Sequence, residues 1–196
     1  MELVVKMLLG LTSLVGLAFV IERAWVLRWN RVVPPEIATA LADCRNRSGV
    51  AKLRGVCEAR PSPLGRLILA AADHLDWPKA DTVDALETAA RHEIVRLERN
   101  LVFLEIIVGI APLLGLVGTI AGMMTLFANV GVAGLNDAAR LASGIALILN
   151  ATLAGLLIAI PALIFWSYFS KKVEVLAAEL EALCSEFIRR QYRDPS

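Results

Sequence analysis

Two apolar runs constrain this chain more than anything else in it: APLLGLVGTIAGMMTLF from Ala111 to Phe127, and GIALILNATLAGLLIAIPALIF from Gly144 to Phe165. A hydrocarbon layer of roughly 30 Å is crossed by about 20 helical residues, and both runs, with their flanks, reach that length. Neither is the leucine-rich filler of a simple anchor. Each mixes small residues, a proline and isolated polar groups into the apolar background, the composition of helices that pack against other helices around something polar.

The 196 residues are 57% apolar and 20% charged, and the apolar residues come in three blocks, Leu3 to Ile21, Leu101 to Val132 and Leu141 to Phe169. Buried helices of a soluble protein are disfavoured, because only about half the chain would remain to cover them. The expected fold is all-α, an integral membrane protein with three transmembrane helices. The second and third are expected to extend into a cytosolic helical stalk. The divisions are a first transmembrane helix over 1–28, a cytosolic helical segment over 29–80, a long cytosolic helix running into the second span over 81–130, a short external loop at 131–137, and a third span continuing into a cytosolic helix over 138–196.

The first block is read as a retained anchor and not a cleaved leader, since its early cation is Lys6 alone and no small-x-small pattern precedes Glu22. Of the 20 Lys and Arg residues, thirteen lie between Arg23 and Arg99 and five follow Phe169. Positive charge stays in the cytoplasm, so both rich segments are expected there, with the amino terminus and the 131–137 connection outside. Trp25 and Trp29 suit the headgroup level. A net charge of +1 gives no reason to invoke nucleic acid. Cys44, Cys57 and Cys184 share no CxxC spacing and read as buried free thiols.

In the cytosolic part, Pro34 and Pro35 break the chain, and short amphipathic helices are expected on either side of Arg60-Pro61-Ser62-Pro63. A longer helix, capped by Asp76 or Asp81, carries Val83, Leu86, Ala90, Ile94, Leu97 and Leu101 on one stripe. Nothing before Gly109 should break it. Past the third span, Val173, Leu176, Leu180, Leu183 and Phe187 repeat the pattern.

Within the spans, positions seven apart nearly coincide, which places Glu105, Pro112, Thr119 and Leu126 on one stripe. Ala111, Gly115, Gly118 and Gly122 form a small-residue stripe beside it, suited to close helix approach. Pro112 and Pro161 each remove a helix hydrogen bond, and both spans are expected to bend. In the third span Thr152 shares a face with Ile148, Gly155 and Ala159, while Asn150 points roughly 200° away with Ser143, Leu147 and Ala154. If one of Thr152 and Asn150 lines a pore, the other meets a neighbouring helix. An amide in hydrocarbon needs a partner, so Asn150 and Ser143 are expected in interhelical polar contacts.

No metal or cofactor is expected, and no enzyme constellation is present. His74 and His92 lack clustered ligands, and neither a GxxxxGK[ST] loop nor HExxH occurs.

APLLGLVGT followed about thirty residues later by T-x-x-G-L-x-x-A-I-P, together with LVGLAFVIERAWVLR in the first span, resembles the ExbB/TolQ/MotA proton-channel family, nearest its ExbB and TolQ branch. The resemblance implies a homopentamer in the bacterial inner membrane. It further implies a pore lined by the second and third helices, holding a single-span partner of the ExbD/TolR type, with a TonB-like or other envelope protein beyond. The family's two pore threonines match Thr119 and Thr152. Its acidic position, five before the second threonine, is Leu147 here.

A charge in mid-membrane costs roughly 3 kcal/mol or more and is rare unless functional. This chain supplies none, so the titrating Asp is expected on the partner, with Thr119 and Thr152 as the ion pathway. Glu105 precedes Thr119 by 14 residues, about 21 Å along a helix, which makes it a candidate pore mouth. The expected function is that of a pore-forming stator subunit in a motor driven by the proton motive force. The alternative is a passive oligomeric membrane scaffold without ion flux.

Overall fold

The computed structural model describes residues 2–44, 46–133 and 138–193, and the secondary structure among them is helical. The elements are α1 (Glu2–Val26), α2 (Trp29–Val32), α3 (Pro35–Asp43), a 3-10 turn at Arg47–Gly49, α4 (Val50–Ala59), α5 (Pro63–Asp73), α6 (Lys79–Glu98), α7 (Leu101–Ala133) and α8 (Ala138–Arg193). Three helices are long and apolar enough to cross a membrane: α1, α7 and α8. Helix continues through both Pro112 and Pro161. The expected external loop at 131–137 is helical as far as Ala133, and residues 134–137 lie outside the described residues.

The chain divides into two compact units, one of Met1–Arg23 with Asn100–Tyr168, the other of Ala24–Arg99 with Phe169–Ser196. In the first, α1 lies antiparallel against α7. A Cβ at Gly16 would sit 3.4 Å from Ile107, the Phe19 and Phe103 rings stack at 4.6 Å, and Asn100 donates to both carboxylate oxygens of Glu22 at 3.0 Å. Large apolar side chains remain in the open: Leu14, Leu113 and Ile164 are 70, 60 and 61% exposed. In water such a surface would be untenable, and in a bilayer it is the solvated face.

The second unit is built by short helices, and prolines set the starts of α3, α5 and α6. Pro34 and Pro78 occupy N-cap positions, Pro35 and Pro63 open their helices, and the Ser62 hydroxyl accepts from the Gly65 amide at 3.0 Å. Helix α5 packs on α2, α4 and α6, and α4 on α3. Ile37, Leu53, Leu64, Leu67 and Ile68 are buried there, as are Val173, Leu176, Leu180 and Phe187 of α8.

Two boundaries differ from the sequence expectation. Helix α6 starts at Lys79 behind Pro78, not at an Asp76 or Asp81 cap; Asp81 falls in the first turn, where its charge suits the helix dipole. The helix expected to run unbroken through 81–130 is interrupted at Arg99 and Asn100, where the Asn100 amide is engaged by Glu22. Asparagine is also a weak helix former.

Candidate functional site

The site sits where α7 and α8 run antiparallel at close range, and glycines set that range. A Cβ on Gly115 would lie 2.9 Å from the Ala151 carbonyl oxygen and 3.0 Å from Thr152 Cα. On Gly155 it would lie 2.5 Å from the Ala111 carbonyl oxygen, on Gly118 2.9 Å from Ala151 Cβ, and on Gly122 2.7 Å from Ile148 Cγ1. Contacts under 3.0 Å do not occur for real Cβ atoms, and at Gly115 and Gly155 the obstacle is backbone, which has no rotamer to change.

This approach delivers Thr152 to the neighbouring helix. Its hydroxyl donates across to the Gly115 carbonyl oxygen at 3.4 Å, a bond stretched well past the usual O–H···O length of about 2.7–2.8 Å. Thr119 is satisfied on its own helix, donating to the Leu116 carbonyl oxygen at 2.7 Å. Both residues are half-buried. Among the described residues no hydrogen bond joins Thr119 to Thr152.

The other candidates are dispersed. Asn150 and Ser143 are exposed on α8, and Glu105 is exposed on α7, 14 residues before Thr119. Pro112 is half-buried and Pro161 exposed, each inside its helix. The side chain of Leu147 lies outside the described residues. Sequence reading missed Lys6 and Thr125, which line a cavity of about 180 Å³ with Gly118, Gly122, Gly144 and Ile148. Their signal was weak: Thr125 lies six residues past Thr119 and off its stripe.

In the second unit Glu93, 7% exposed at its side chain, accepts both a 2.9 Å and a 2.5 Å bond from Arg66 and a 2.9 Å bond from Arg96. Accepting both Arg66 N–H groups, Glu93 holds that guanidinium above its ordinary value. The three cysteines are buried and unpaired. Burial raises all three thiols, Cys57 to about 11, with a further push from Glu58, and Cys184 to about 12. Among the described residues no group of three His, Cys, Asp or Glu side chains is placed to hold a metal ion.

The family model of the MotA/TolQ/ExbB proton channel family matches residues 60–182. A Synechocystis sp. protein named as ExbB-like is 34% identical over 93% of this chain and 76% of its own length. Biopolymer transport protein ExbB of Helicobacter pylori is 36% identical over 56% of this chain and 70% of its own. Tol-Pal system protein TolQ of Pseudomonas aeruginosa is 36% identical over 53% of this chain and 45% of its own. The matched region takes in α7 and α8 as far as residue 182, with Thr119 and Thr152, and the chain belongs to the MotA/TolQ/ExbB proton channel family, on its ExbB and TolQ side.

Proposed function

We propose that this chain is the pore-forming stator subunit of a motor driven by the proton motive force in the bacterial inner membrane. It works as a homopentamer around a single-span partner of the ExbD/TolR kind and transmits work to the cell envelope. Its amino terminus is outside, its carboxy terminus cytosolic, and α6 with the distal part of α8 forms a cytosolic stalk. The observation that carries the reading is a pattern of absence and commitment. From Ile106 to Asn136 and from Leu141 to Ser170 there is no carboxylate, histidine or cation, while the hydroxyls of Thr119 and Thr152 each spend their hydrogen on a backbone carbonyl.

A threonine that has given its hydrogen away can only accept. A protonated partner Asp has an O–H to offer it; the ionised carboxylate has none. Thr119, with its 2.7 Å bond, therefore favours the neutral acid. Thr152, held by a 3.4 Å bond, can swing its hydroxyl to the carboxylate at little cost. Protonation thus moves the partner's preference between two positions on each subunit, and repeated around a ring this biases motion. Glu105 serves at the cytosolic mouth, and Asn150 and Ser143 bond to neighbouring helices.

The test is substitution in a complex that still assembles. Thr152→Val should lower activity dependent on the proton motive force by about tenfold or more, the weight of a hydrogen bond to a charged group. Thr152→Ser should restore most of it. Undiminished activity in Thr152→Val or Thr119→Val would remove that threonine from the ion pathway, activity independent of the proton motive force would favour the scaffold reading, and wild-type transport in Glu105→Gln would remove the pore-mouth role.

A further inference from the structure

A cavity of about 420 Å³ in the second unit is walled by Arg31, Arg60, Arg66 and Arg96, with Glu93 as its one acidic lining residue. That volume falls within the roughly 300–1,000 Å³ of small-molecule sites. Its charge is not balanced. Glu93 is shared between Arg66 and Arg96, Arg60 pairs with Glu36 at 3.1 Å, and Arg31 stacks its guanidinium carbon 3.9 Å from the Trp25 ring centroid. Even with Glu36 counted, four cations face two carboxylates.

Two helix ends add to the field. Pro34, the N-cap of α3, and Pro63, the first residue of α5, both line the wall, so the positive ends of two helix dipoles border the same space. Val26, the last residue of the first candidate span, also lines it, beside the exposed Trp25 and Trp29 of the interfacial region. A guanidinium stacked on an aromatic face keeps its N–H fork available for a bidentate acceptor.

We infer that this cavity is a binding site for a phosphate ester, with Arg31 and Arg60 as the groups that grip the anion and the Arg66–Glu93–Arg96 cluster as its fixed wall. The ligand chemistry is a glycerophosphate group, carried by an anionic lipid of the cytosolic leaflet or by a soluble ester. None of its lining residues lies on α7 or α8.

The experiment uses the full chain in nanodiscs. In phosphatidylcholine discs, calorimetric titration with glycerol 3-phosphate reads the soluble source; in discs with phosphatidylglycerol, native mass spectrometry of retained lipid reads the membrane source. At least one probe should bind. Arg31→Gln with Arg60→Gln should weaken it by about tenfold or more, as expected when charge-assisted bonds are lost, while Lys52→Gln on α4, outside the cavity, should not. Should the double variant fail to fold, Arg31→Gln alone is read in the same way. Binding of neither probe, undiminished binding in the arginine variants, or an equal loss in Lys52→Gln would overturn the assignment.

Discussion

Thr152 owes its position to the absence of a side chain at Gly115. The same backbone approach that would put a Cβ 3.0 Å from Thr152 Cα lets the hydroxyl reach the Gly115 carbonyl oxygen. The buried thiols give a residue-scale prediction of a different kind. Cys184, raised by burial from 9.0 to about 12, holds its proton in the folded state where the unfolded chain would lose it. Its contribution to stability is complete below pH 9.0 and disappears as pH rises toward 12. Alkylation at pH 8 should therefore be slow until the chain is unfolded, and Cys184→Ala should flatten the loss of thermal stability above pH 9.0. Rapid labelling of Cys184 in the folded chain would contradict this. Burial of the cysteines was legible from their spacing and context, but Glu93 was not read as a buried acid. It lies on the stripe of Leu86 and Leu97, seven and four residues away, yet a hydrophobic count passes over any polar residue whose partner, here Arg66, is 27 residues distant.

At the scale of elements, the glycines of α7 and α8 separate into two kinds that composition cannot distinguish. Gly155→Ala would drive a methyl group to 2.5 Å from the Ala111 carbonyl oxygen, and overpacking of that kind costs about 1–3 kcal/mol. Gly109→Ala meets nothing within 4 Å and should be neutral or mildly favourable through helix propensity. Unfolding midpoints in mixed micelles check the contrast, and equal effects would show that α7 and α8 are not in close contact. The small-residue stripe was legible in the spacing of Gly115, Gly118 and Gly122. The order in which α2 to α5 pack was not, because each is short and amphipathic and sequence period alone does not choose a neighbour. Glu93→Gln offers a second contrast. It leaves Arg66 and Arg96 without their shared carboxylate, and should cost about 1–2 kcal/mol, moderated because both guanidiniums are partly exposed.

For the whole molecule, length and hydropathy were enough to mark three spans, since a bilayer imposes a minimum apolar length that soluble packing does not. What covers the exposed faces of those spans is not written in their length or hydropathy, and the polar residues constrain that cover. Asn150 is exposed on the face it shares with Ser143, where hydrocarbon would leave its amide without partners. From Ile106 to Asn136 and from Leu141 to Ser170 the chain carries no group that titrates near neutrality. Hydroxyls already committed to carbonyls can relay no net proton by themselves. Proteoliposomes holding this chain alone should thus remain proton-tight under an imposed potential, and reconstitution with a single-span partner bearing a membrane Asp should open a leak. Replacing that Asp by Asn should close it again. Comparable leak from the chain alone would place the titrating group within it, with Glu105 first in line because α7 offers no other carboxylate; that outcome would then be tested by Glu105→Gln in the same vesicles.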